Sequence, residues 1–329
     1  MCETCKHIDV YVSEGMNRYD PTHTTSLRNR WASEMRSRFN ELVKVVRVSV
    51  DDEDCFGLKG GGEEISPLTL QANLSTTGTN AFMFSTSGEK VEAFMRWFRS
   101  QVDAGILEVR EYEQIGSSIN QAWTNKYVYD SYKRGVIRAR YELGKAGFDV
   151  PTTEATGGVE VSMGTPFHLE RVGLLYSRVF EDLRGITTQM DTQISRVLSQ
   201  GLIDGDGPRL LARKLVGTIN GSGIGDLGLT DTLGRFIPAR RRAEILARTE
   251  VIRAHHQANI QEYKNWRAEN VYVVAEFLTA GDDRVCDRCA AIAAQGKTYT
   301  LEEAQNLIPV HPQCRCIVLP VHKKNNNKI

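Results

Sequence analysis

Four cysteines and a histidine near the C-terminal end have the spacing of a metal site. They read Cys286-x2-Cys289, then 21 residues, then His311-x2-Cys314-x-Cys316. A Cys-x2-Cys pair on a turn aims two thiolates at one point, and a second pair has to return from elsewhere in the fold to complete a tetrahedron. His311 and Cys314 repeat the two-residue gap, which favours Cys286, Cys289, His311 and Cys314 as the ligands. Cys316 is the alternative ligand, because in an extended segment it points the same way as Cys314. Zinc suits this mixture of thiolate and imidazole, and four protein donors would close its coordination sphere. The expected role is therefore structural.

Other candidates are weaker. Cys2 and Cys5 form a second Cys-x2-Cys next to His7, with no partner pair nearby, and Cys55 stands alone. His255 and His256 are adjacent on a helical stretch, where neighbours point about 100° apart and do not easily share an ion. His256 falls on the apolar face and reads as a core histidine. Arg240, Arg241, Arg242, Arg248 and Arg253 form a basic stretch interrupted by Glu244 and Glu250. A solvated face with internal Glu–Arg pairs is the plainer reading, and contact with nucleic-acid phosphates is the alternative. GDGP and GSGIGDLG lack the GK[ST] ending of a phosphate-binding loop. No G-x-S-x-G elbow and no H-E-x-x-H is present.

Helices must position these groups. Residues 1–20 read as a polar tail. Residues 21–150 read as a mostly helical region with a short β-hairpin around LTLQANLSTT and AFMFSTS. Leu27, Trp31, Met35, Phe39 and Val46 are spaced for one helix face. The acidic, Gly-rich DDEDCFGLKGGGEE reads as a mobile loop, and Ile115 to Gly147 as a long helix. Residues 151–167, rich in Pro, Gly and Thr, read as a linker. Residues 168–269 form a long-helix region. Its stripe runs Leu169, Val172, Tyr176, Val179, Leu183, Ile186, Met190, Ile194 and Val197, and Gly201 is read as its stop. A second long helix is expected from Pro238 to about Glu269. Residues 270–322 read as the zinc-stapled end: VYVVAEFLTA as a strand, GDDRVCDRC as a turn, LEEAQNL as a short helix. Residues 323–329 are a polar tail. The expected fold is mainly α with a small α+β part, a long-helix bundle or stalk carrying a small C-terminal zinc-stapled domain.

Composition bounds the function. The chain has 329 residues, with 41 Lys+Arg against 41 Asp+Glu, so charge-driven coating of nucleic acid is disfavoured. Hydrophobic residues are 41% and charged residues 25%, enough apolar side chain to bury a core. No apolar run approaches the roughly 20 residues of a membrane-spanning helix. MCETCKHIDV lacks the apolar segment of a secretory signal, so a reducing cytoplasm is expected.

The segments VFEDLRGITTQMDTQISRVLSQGLIDGDGPRLLARKL, AEILARTEVIRAHHQANIQEYKNW, FLTAGDDRVCDRCAAIAAQGKTY and IPVHPQCRCIVLP occur here in sequence. In order and spacing this run resembles the phage Mu F-like minor head proteins, the phage head morphogenesis family. The resemblance implies a non-enzymatic minor capsid protein of a tailed bacteriophage, found in the virion or procapsid and in the host cytoplasm during assembly. It implies association with the portal protein and with major capsid or scaffolding protein, and a role in DNA packaging or ejection. Genomic double-stranded DNA is a further candidate partner. The alternative function is a zinc-braced DNA nuclease or DNA-binding protein. Against a nuclease, no DH or HH pair stands between the cysteine clusters.

Overall fold

A computed structural model describes residues 20–59, 82–109, 122–220, 237–268 and 273–322. The fold is mainly α with one small antiparallel sheet near the C-terminal end. The chain divides into two compact units. The first comprises Met1–Trp31, Gln114–Val179 and Ile245–Ile329, and the second Ala32–Glu113 and Phe180–Glu244.

The second unit is built on apolar helix faces. Helix α1 (Thr25–Arg47) contributes Met35, Phe39, Leu42 and Val46, all essentially inaccessible. It runs into a π-helical turn at Val48–Asp52. Beyond this turn Cys55 and Phe56 are 0% and 1% exposed. The expectation of a mobile loop here is thus corrected: Phe56 packs in an aromatic cluster with Phe82 and Phe94. Burial pushes the Cys55 thiol up to about 12, which makes it unreactive. Helix α2 (Ser87–Ser100) opens with a Thr86–Glu89 capping box. Most of the expected β-hairpin lies outside the described residues. The described part, from Phe82, is irregular, and Phe82 N–H donates to the Cys55 carbonyl at 2.8 Å.

The first unit contains helix α3 (Asn125–Lys145) and the short helix α4 (Val159–Met163). It also holds the first part of α5 (Pro166–Ile203) and most of α7 (Ala239–Ala268). Between the last two, α6 (Pro208–Asn220) belongs to the second unit. The α5 stripe differs from the sequence expectation at both ends. Leu169 is 49% exposed and His168 takes the buried position. Gly201 does not stop the helix. It lies where Leu211 and Asp206 approach, and a Cβ there would sit 2.6 Å from Leu211 Cδ1. The turn comes at Gly205, whose φ of +72° suits glycine.

Helix α7 is buried nearly all round although it is rich in polar residues, so its polar groups need internal partners. Glu262 is 1% exposed and accepts from His168 Nε2 (2.7 Å), Arg140 Nε (2.9 Å) and Trp266 Nε1 (3.1 Å). On its other side the His168 ring hydrogen-bonds through Nδ1 with the Tyr132 hydroxyl at 2.8 Å. Arg140 also reaches Thr156 and Ser162, which docks the Pro- and Gly-rich segment onto α3. Burial alone would raise the Glu262 carboxyl, but the hydrogen bonds from His168 and Arg140 outweigh it and hold it low. Helices α3 and α7 meet through small groups. Ser131 Oγ donates to the Val251 carbonyl at 2.6 Å, and Gly135 faces the His255 carbonyl and Ala258.

The sheet has the order β2–β1–β3. Strand β1 (Val273–Leu278) is central and pairs antiparallel with β2 (Thr298–Tyr299) and β3 (Ile317–His322). Pro320 lies on the edge strand β3, where a missing N–H is tolerated. Between β1 and β3 run helices α8 (Asp287–Ala294) and α9 (Leu301–Gln305), the latter opened by a Thr300–Glu303 capping box.

Candidate metal centre

The β1–β3 register sets the site. Leu278 pairs with Ile317, so the chain leaving β1 and the chain entering β3 lie side by side. The first arm turns through Gly281, at φ +69°, and reaches Cys286. Sequence reading expected only a turn here, but Cys286 is the N-cap of α8 and Cys289 sits in its first turn. Cys286 Sγ accepts from the Cys289 N–H at 3.5 Å.

The second arm is the turn His311-Pro312-Gln313-Cys314, closed by the Cys314 N–H on the His311 carbonyl at 3.1 Å. Gln313 stands at φ +62°, a conformation side chains rarely adopt. His311 Nδ1 lies 2.8 Å from the Pro312 carbonyl, which can only accept. Nδ1 therefore donates to it, and Nε2 is the ring nitrogen that a neutral His311 would offer to an ion.

The five donors form two overlapping triads. Cys286, Cys289 and His311 bring one ligand atom each within 4.8 Å of one another, and so do Cys289, Cys314 and Cys316. Cys289 belongs to both. The four residues favoured from spacing are thus divided: Cys286, Cys289 and His311 share one triad, and Cys314 meets Cys289 in the other together with Cys316. Cys289, Cys314 and Cys316 are buried and Cys286 is exposed.

The three thiols of the buried triad are electrostatically coupled. The Cys316 thiol donates to Cys314 and lowers it to about 5. Burial pushes Cys289 up to about 12. Cys316, whose hydrogen serves Cys314 and which is itself buried, is raised far above an ordinary thiol. A first thiolate is stabilised by its neighbours' protons, and a second and third are opposed by charge and burial. A positive ion among the sulfurs removes that opposition. Soft sulfur with one imidazole is a donor set that suits a borderline-soft ion such as zinc.

Two supports were not legible as such. Asp282, with a side chain 1% exposed, accepts from Arg315 Nη1 and Nη2, each at 2.6 Å, and also from Arg284. The Arg315 guanidinium holds its carboxyl well below the usual range. This pair ties the first arm to the residue between Cys314 and Cys316. In addition, Thr249 of α7 accepts from the Gln313 N–H at 2.9 Å. Its neighbour Glu250 pairs with Arg253 (3.0 Å) and Arg178 (3.5 Å), whereas Arg284 belongs to Asp282.

The remaining candidates lie elsewhere. His255 and His256 are 1% and 2% exposed, and His256 Nε2 donates to the Ala304 carbonyl at 2.9 Å. Burial lowers them to about 3 and about 4, so both are neutral core groups. Members of the basic stretch meet protein groups: Arg240 with Asn40, Arg241 with Glu244, Arg242 with Gln189, Arg248 with Asn29. Cys2, Cys5 and His7 lie outside the described residues.

Residues 192–319 match the family described as phage Mu protein F like protein. This match supports the phage head morphogenesis family. It includes all five donors as well as Thr249, Asp282 and Arg315. Comparison with curated proteins and with solved structures gave no match. Among the described residues no helix is long and apolar enough to cross a membrane.

Proposed function

We propose that the protein is a non-enzymatic head-morphogenesis component of a tailed phage, present as a minor capsid protein, and that its thiol and imidazole cluster holds a structural zinc ion. The family match over residues 192–319 carries this reading. Convergence of four sulfurs and one imidazole supports the metal. In this role the zinc braces the arms that leave β1 and enter β3, and the first unit offers a stapled head for docking on the portal or on capsid or scaffolding protein. Packaging or ejection of DNA is the step such a component serves.

The reading has two tests. Elemental analysis of the purified chain is expected to return about one zinc per polypeptide. Mass spectrometry of purified procapsids and virions is expected to find the chain in low copy, and co-purification with portal protein to retain it. A folded chain free of metal refutes the zinc assignment. Absence from both particle forms refutes the capsid role.

A further inference from the structure

We propose that Thr249, which ligates nothing, is a positioning residue of the metal centre: it fixes the turn that presents His311 and Cys314. Thr249 lies within α7 and is 8% exposed. Its one hydroxyl hydrogen goes to the Ile245 carbonyl at 2.7 Å, which orients the oxygen. A lone pair of that oxygen then receives the Gln313 N–H at 2.9 Å.

Gln313 is the point in the turn that most needs such an anchor. It stands between the two donors and has the left-handed φ of +62°. Left-handed backbone at a non-glycine residue is unfavourable and persists only where the surroundings impose it. Pro312 has no N–H to offer. The Cys314 N–H is engaged inside the turn with the His311 carbonyl. The Gln313 N–H is thus the turn's donor to the body of the unit, and the Thr249 hydroxyl receives it. The first arm is held in turn by the Asp282–Arg315 pair, which ties it to the segment between Cys314 and Cys316. Each arm is thereby aimed by a side chain outside the donor set, and supports of this kind typically change metal affinity 10- to 100-fold, roughly, when removed.

The inference rests on the metal reading in one respect only, so the experiment has a metal-free half. Thr249→Val removes the hydroxyl at nearly constant shape, and Thr249→Ser keeps it. In metal-free protein, alkylation of Cys314 by iodoacetamide is followed by peptide mass spectrometry, with the buried Cys55 of the second unit as an internal control. Thr249→Val is expected to speed Cys314 alkylation about ten-fold, the effect of one buried hydrogen bond, with Cys55 unchanged and Thr249→Ser close to wild type. In the second half, zinc affinity is measured by competition with a chelator. Thr249→Val is expected to weaken it by roughly 10- to 100-fold, and Thr249→Ser to restore it.

Unchanged Cys314 alkylation in Thr249→Val overturns the proposal whether or not metal binds. So does equal acceleration at Cys314 and Cys55, which signals global loosening. Faster Cys314 alkylation in a protein that takes up no zinc supports the anchor and refutes the metal assignment alone. If Thr249→Val does not fold, Gln313→Gly provides the second variant. It relieves the left-handed strain, and the turn should then tolerate Thr249→Ala in the double variant. Failure of that rescue counts against the proposal.

Discussion

Replacing Gly135 with alanine isolates the contact that seats α3 on α7. A Cβ at Gly135 would lie 2.5 Å from the His255 carbonyl oxygen and 2.6 Å from Ala258 Cβ. Carbon–carbon contacts are favourable at about 3.5–4.0 Å, so the helices must part by roughly 1 Å. Overpacking of this kind costs about 1–3 kcal/mol. Parting the helices also strains the Ser131–Val251 hydrogen bond, which is 2.6 Å long. That bond is worth about 1 kcal/mol. Against this, alanine gains about 1 kcal/mol over glycine in a helix interior. The balance is a loss of about 1–3 kcal/mol. Gly144 is the matched control, since it lies in the same helix with nothing within 4 Å of its added Cβ. Gly144→Ala is expected to gain about 0.5–1 kcal/mol. Urea denaturation of both variants measures the difference. If Gly135→Ala proves as stable as wild type, the close approach of α3 and α7 is wrong.

Other outcomes follow from the same geometry. Cys289→Ser is expected to abolish metal binding because both triads lose a donor, whereas Cys286→Ser and Cys316→Ser keep weakened binding. Cobalt-substituted spectra read this directly, and equal losses in all three refute the shared role. Folded-state values of about 4 for His256 and about 3 for His255 lie below the ordinary 6.5. An unfolded chain therefore binds more protons in this range, and stability should fall as pH drops from 6.5 toward 4. His256→Gln, which can still donate to the Ala304 carbonyl, should flatten that slope, and an unchanged slope counts against the buried neutral histidine. Arg315→Met removes two charge-assisted bonds to Asp282 and is expected to cost about 2–3 kcal/mol. The Asp282 carboxyl is lowered on folding, so its contribution is present above the ordinary carboxylate range and lost at more acid pH. Asp282→Asn should remove that acid-sensitive component in a pH-dependent melt.

The long helices were legible because their apolar residues repeat at helical spacing over many turns, as Met35, Phe39, Leu42 and Val46 do. The donors were legible because paired thiols at fixed gaps are rare by chance. What spacing does not encode is which donors meet. That depends on the β1–β3 register and on the first turn of α8, which the flanking Asp and Arg residues masked as loop. Cys55 and Phe56 were misread for a related reason: an acidic, glycine-rich surrounding looks solvated, but Phe82 and Phe94 come from far along the chain to cover them. The partners of Thr249 and Asp282 were not legible, since they are residues 64 and 33 positions away, reached by hydrogen bonds that spacing does not encode.

The sheet order also fixes a sequence of events in time. Strand β1 is central, yet its longer partner, β3, begins at Ile317, after α8, β2 and α9. During synthesis Cys286 and Cys289 therefore emerge well before the edge that carries Cys314 and Cys316 beside them. Non-local pairing of this kind is slow to form. Under the proposed zinc reading, capture of an ion by the full donor set would wait for that pairing. A molecule halted or clipped between α9 and β3 would carry half a cradle and an unpaired central strand, which a quality-control protease would find open.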